Sequence, residues 1–148
     1  MGSNKEEAIY KWLALSVVVV GTFMAILDSS IVNIAIPKMM AVFGVSTDEI
    51  QWVVTAYMLV MGAVIPVTGY LSDRYGTKKT YMFALAAFTV GSALCGIAWS
   101  NSSMIAARVI QALGGGMIMP ISMAIIYQVV PPEERGMALG FWGIASMA

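Results

Sequence analysis

Residues 12–37 read WLALSVVVVGTFMAILDSSIVNIAIP. From Trp12 to Ile36 the chain is apolar apart from a few small polar residues and one acid, Asp28. A helix needs about 20 such residues to cross a hydrocarbon core of about 30 Å, and this run exceeds that. A secretory leader would have an apolar core of roughly 7–15 residues, ending at a small-residue cleavage site and free of acid. The run therefore reads as a retained first membrane helix, ending at Pro37. Further apolar runs cover 50–71, 81–98 and 103–130, and a fifth opens at 136 and is still apolar at 148. Only helices satisfy every backbone amide in lipid without a partner strand. Barrel strands would be about half as long and would alternate in polarity. The fold class is an all-α polytopic membrane protein, and the short connections make neighbouring helices antiparallel.

Composition agrees. Apolar residues make up 59% of 148 positions, charged residues 11%, and mean hydropathy is +0.83, well outside the soluble range. Net charge is zero, so no basic footprint for nucleic acid exists. With no histidine and a single cysteine, the chain can build neither a zinc site nor a disulfide alone, and no cofactor is expected. Cys95, between apolar neighbours, reads as a packing residue.

The polar intervals punctuate the spans. Ser46-Thr-Asp-Glu49 has the form of a capping box at a helix N-terminus. Ser72 to Thr80 separates the second and third runs, Ser100-Asn-Ser-Ser103 forms a turn, and Pro131-Pro-Glu-Glu-Arg135 ends the fourth. If residues 1–11 are cytoplasmic, the inner side carries Lys5, Lys11, Arg74, Lys78, Lys79 and Arg135 against Lys38 alone outside, the bias expected of an N-in topology. Trp12, Trp52 and Trp99 fall near span ends, where indoles favour the interface. An odd bundle, open at Ala148, reads as the first part of a longer chain.

Two ionisable groups lie deep in the spans, Asp28 and Arg108. A charge at the bilayer centre costs about 2.5–3.5 kcal/mol on insertion scales and normally faces a cavity or a partner. Asp28 is about 12 Å of helix from Ile36, too far for its short side chain to reach water. Arg108 enters the fourth run one to two turns after Ser103, with Gln111 on the same helix face. Both then occupy the outer half of the membrane, at a depth where they can meet. A nearby guanidinium favours the ionised carboxylate and desolvation favours the neutral one, a balance that substrate or movement can tip. Elsewhere, Gly69 and Gly76 allow close helix approach and a tight turn around Asp73 and Arg74, and Lys78 and Lys79 suit cytoplasmic headgroups. Gly114-Gly-Gly116 and Pro120 weaken the fourth helix and favour bending, or admit close packing in lipid. Met24 is among several methionines that suit an adaptable apolar pocket.

Three patterns occur in order. Leu27-Asp-Ser-Ser-Ile-Val-Asn-Ile-Ala-Ile-Pro37, Gly69 to Lys79, and Arg108-Val-Ile-Gln-Ala-Leu-Gly-Gly-Gly116 resemble, respectively, the first-helix, loop 2–3 and fourth-helix signatures of the major facilitator superfamily, in its fourteen-helix drug:proton antiporter branch. Thr77 stands where that loop commonly has arginine, and Ala112 where glycine is frequent. Gly140 and Gly143 lie in the fifth run, short of the Gly-Pro that marks antiporters. The resemblance implies the first four to five helices of an N-terminal six-helix bundle in a plasma-membrane exporter, with small-molecule substrate, protons, the lipid bilayer and the rest of the chain as partners. It implies proton coupling at Asp28 and Arg108, and a substrate cavity lined by Met24, Asn33, Tyr57 and Gln111. Gly69, Asp73, Arg74, Gly76, Lys78 and Lys79 would form the conformational loop, and Gly114, Gly115, Gly116 and Pro120 a flexible part of helix four. Competing readings are a proton-linked uptake carrier of the same fold and a non-transporting membrane subunit. An intramembrane hydrolase would need a second buried acid beside Asp28.

Overall fold

The computed structural model describes the backbone of residues 2–147 and the side chains of residues 5–147. Within them the chain forms α1 (Gly2–Phe43), α2 (Thr47–Tyr75), α3 (Thr77–Gly96), α4 (Asn101–Val129) and α5 (Arg135–Met147). The helix α1 (counted from Lys5), α2 and α4 are each long and apolar enough to cross a membrane. With 20 residues, α3 has the length but starts with the polar Thr77-Lys-Lys-Thr80. The protein is an all-helical polytopic membrane protein, as expected.

The helix ends correct the sequence reading at several points. Pro37 does not stop α1, which continues to Phe43. A proline inside a helix leaves the carbonyl four residues back without its amide donor, a defect that membrane helices tolerate. The actual stop is Gly44, at φ +64°, with the Val45 amide donating to the Met40 carbonyl. This six-to-one bond around a left-handed glycine is a Schellman ending. Residues 2–11 are helical and continuous with α1. The polar stretch 72–80 is not a loop either: α2 runs to Tyr75 and α3 begins at Thr77, with Gly76 alone between them.

Two helix starts follow the sequence signal. Ser46 Oγ accepts from the Glu49 amide, and the Glu49 carboxylate accepts from the Ser46 amide at 2.8 Å, the reciprocal box that satisfies otherwise orphaned donors. Ser100 and Ser103 build the equivalent at α4. The serine run expected as a turn is a helix cap.

Packing centres on α4, which lies along both α2 and α3 and reaches α1; α5 folds back on α1. Small residues set how close these helices come. A Cβ on Gly114 would lie 2.2 Å from the Ala84 carbonyl oxygen and 2.5 Å from the Phe88 amide, both on α3. One on Gly115 would lie 2.4 Å from the Tyr57 hydroxyl, and one on Gly116 3.0 Å from the Met61 oxygen, both on α2. The three glycines thus seat α4 against two neighbours at once, and α4 passes through them and through Pro120 unbroken. Of the two roles read from the sequence, bending and close packing, this conformation displays the packing one. Large apolar side chains such as Ile31, Ile34, Met58 and Leu59 point outward, as lipid-facing residues do.

Candidate functional site: an ion cluster between α1, α2 and α4

The deep acid and the deep base meet. Arg108 Nη1 donates to Asp28 Oδ2 at 2.6 Å and to Gln111 Oε1 at 2.7 Å. Gln111 Nε2 donates to Asp28 Oδ1 at 2.7 Å. These three side chains form a closed triangle in which both carboxylate oxygens are occupied. The side chain of Arg108 is 2% exposed and that of Asp28 16%; Gln111 is fully buried. The geometry follows from the helical repeat, which places residues three apart on one face, so Arg108 and Gln111 present a fork of donors to one residue of α1.

From α2, Tyr57 lies under the guanidinium, with the Arg108 Cζ 3.9 Å from the ring centroid. A ring face attracts a cation, so Arg108 has a second, uncharged partner. Gly115 makes room for this ring, because its missing Cβ is the space the Tyr57 hydroxyl occupies. The glycine run thus helps to build the cluster. The Nε of Arg108 is buried without a hydrogen-bond partner, while Cys95 Sγ on α3 donates to Gln111 Oε1 at 3.6 Å.

The remaining expected site residues are dispersed. Met24 and Asn33 are exposed on α1 and take no part in the triangle. Tyr57 and Gln111, expected to line a substrate cavity, are buried beside Arg108, the ring under its guanidinium and the amide hydrogen-bonded to it. At the α2–α3 joint, Gly76 has φ +88° and ψ 144°, a region close to glycine-only. Gly76→Ala is expected to lower stability by about 1–3 kcal/mol, read as a lower unfolding midpoint in detergent. Arg74 donates to the Tyr70 hydroxyl at 3.2 Å, and Asp73, Lys78 and Lys79 are exposed. Thr77 bridges elements, accepting from Ser72 and from Gln128 of α4. Among the described residues nothing lies within 4 Å of a Cβ built on Gly69.

A second polar set escaped the sequence reading. Trp142 Nε1 of α5 donates to Thr22 Oγ1 at 3.0 Å, and Thr22 Oγ1 lies 3.4 Å from Ser122 Oγ. Lys11 pairs with Glu134 in the α4–α5 turn. Lone hydroxyls in apolar helices gave no spacing signal, although a buried indole N–H ordinarily finds an acceptor.

The Major Facilitator Superfamily profile matches residues 18–148. The multidrug export protein EmrB of Haemophilus influenzae is 41% identical over 132 residues, 89% of this chain and 25% of that protein. The riboflavin transporter RibZ of Clostridioides difficile is 40% identical over 133 residues, 90% of this chain and 29% of that protein. Multidrug resistance protein 3 of Bacillus subtilis is 40% identical over 141 residues, 95% of this chain and 27% of that protein. The chain spans about a quarter of the length of these relatives.

Proposed function

The chain belongs to the Major Facilitator Superfamily of membrane transporters, and from that premise we propose that it forms the opening helices of a proton-coupled exporter of drugs or similar small amphipathic molecules. The observation that carries the reading is the triangle of Asp28, Arg108 and Gln111, a part-buried titratable group at the contact between two helices. Relatives named as multidrug export or resistance proteins support the substrate class.

In the ionised state Asp28 accepts from both donors of α4 and ties α1 to α4. A proton on one oxygen turns that acceptor into a donor and removes the negative charge. Arg108 then keeps Gln111 and the Tyr57 face but loses its counter-ion, and the contact between α1 and α4 weakens. Two conformations that differ in this contact respond to protons and to substrate in opposite senses, which is the requirement for exchange. Rocking of two bundles about a midplane site supplies the alternating access. The lysine and arginine bias supports a cytoplasmic N-terminus in the plasma membrane, with Asp28 and Arg108 in the outer half. The remaining helices of the longer chain complete the cavity, on which exposed Met24 and Asn33 open. Asp73, Arg74, Gly76, Lys78 and Lys79 act at the cytoplasmic turn that changes shape between states.

A second reading, uptake of a single nutrient-like solute on the same fold, is favoured by the relative named riboflavin transporter. One measurement separates the two. In vesicles holding the full-length transporter and an imposed pH gradient, cationic amphipathic drugs are expected to release protons in exchange for their own movement. Co-directional movement of solute and protons would replace the exporter with the uptake carrier, and drug movement indifferent to the gradient would end proton coupling altogether.

A further inference from the structure

The proton-site reading involves α1, α2 and α4, and leaves α3 without a part. Yet two residues of α3, one turn apart on one face, touch Gln111. Gly91 is buried, and a Cβ there would lie 2.4 Å from both the Cα and the amide nitrogen of Gln111. These are backbone atoms, so no side-chain rotation could relieve the overlap, and α4 would have to retreat. Cys95, four residues on, donates its S–H to Gln111 Oε1 at 3.6 Å. The first contact fixes where the Gln111 backbone lies; the second helps fix which way its amide faces.

Orientation matters because the two ends of that amide do opposite things. Gln111 Oε1 accepts from Arg108, while Nε2 donates to the carboxylate. A flipped amide would set a donor against Arg108 and an acceptor against Asp28. A hydrogen bond received at the amide oxygen also polarises the group and strengthens the bond its N–H₂ gives. We infer that Gly91 and Cys95 are positioning residues for the proton site: through Gln111 they set how firmly its amide holds the Asp28 carboxylate. The inference rests on Asp28 being the proton-binding group. The charged and titratable groups facing that carboxylate are Arg108 from α4, Tyr57 from α2 and Cys95 from α3, the last acting through Gln111.

The test uses the full-length transporter in liposomes, with drug-driven proton flux followed against pH. Cys95→Ala removes the donor without adding volume, and so weakens the bond that Gln111 gives to Asp28. The pH of half-maximal exchange is expected to rise by about half a unit. Cys95→Ser, which keeps a hydroxyl donor, is expected to restore the original profile. Gly91→Ala is expected to lower the coupled rate about tenfold. Gly96→Ala, on the same helix with open space at its Cβ, should leave it unchanged. If Gly91→Ala fails to reach the membrane, the cysteine pair decides alone. A wild-type profile in Cys95→Ala, or a shift that serine does not reverse, overturns the inference. Asp28→Asn separates the two levels. Coupling that persists in that variant removes the proton site and this inference together, whereas coupling lost there alongside wild-type behaviour of the α3 variants removes the inference only.

Discussion

Asp28→Asn is expected to abolish proton-driven exchange, lowering it on the order of a hundredfold. The substitution is nearly isosteric, so its effect isolates charge and hydrogen-bond polarity. Asp28 accepts at both oxygens, from Arg108 at one and from Gln111 Nε2 at the other. Asparagine offers one acceptor and one amino group, which leaves either the guanidinium or the Gln111 amide facing another donor. Gln111 cannot turn to compensate, because its oxygen is already engaged by Arg108 and Cys95. The buried arginine also loses its counter-ion, and breaking such a pair from one side typically costs about 3–5 kcal/mol. Flux measurements in vesicles should find the variant indifferent to the pH gradient, while Asp28→Glu retains part of the response. Coupling of wild-type strength in the asparagine variant would require the proton to bind elsewhere.

The second large effect concerns assembly. Gly114→Ala is expected to lower the stability of the bundle by about 3 kcal/mol, since overpacking of a tight contact costs of this order. The added Cβ meets the Ala84 carbonyl and the Phe88 amide, so relief demands that α4 move away from α3. Gly114→Val should leave little folded protein in the membrane. Gly62→Ala is the matching control, with nothing within 4 Å of its Cβ; it should stay within about 1 kcal/mol of the parent. Thermal unfolding in detergent reads both. Equal midpoints for Gly114→Ala and the parent would show that the two helices slide apart without loss.

These contacts indicate what a one-dimensional reading can reach. The spans were legible because apolar length has one physical meaning in lipid, and the Ser46 cap because its partner sits three residues away. The meeting of Asp28 and Arg108 was legible as well, since two costly charges at similar depth lower each other's cost. Helix ends were less so. Pro37 and the polar run 72–80 carry strong local signals for breaks, but α1 has its stop at Gly44 and the α2–α3 joint needs only Gly76. The contact of Tyr57 with Arg108 was not legible, because sequence shows a residue's face and not what covers it. The roles of Gly91 and Cys95 were out of reach: both sit in an apolar helix and acquire meaning only from the α4 residue they touch.

The α2–α3 joint has one more mechanical consequence. A 29-residue rod and a 20-residue rod meet at a single residue, and their mutual angle is held by α4, which packs along both. At 1.5 Å per residue α3 is a lever arm of about 30 Å. A ten-degree swing at its fulcrum would carry the far tip about 5 Å, close to one full turn of helix. A small change of torsion at Gly76 would become a large stroke at the opposite end of α3 only if α4 moved with it, because α3 and α4 are packed together.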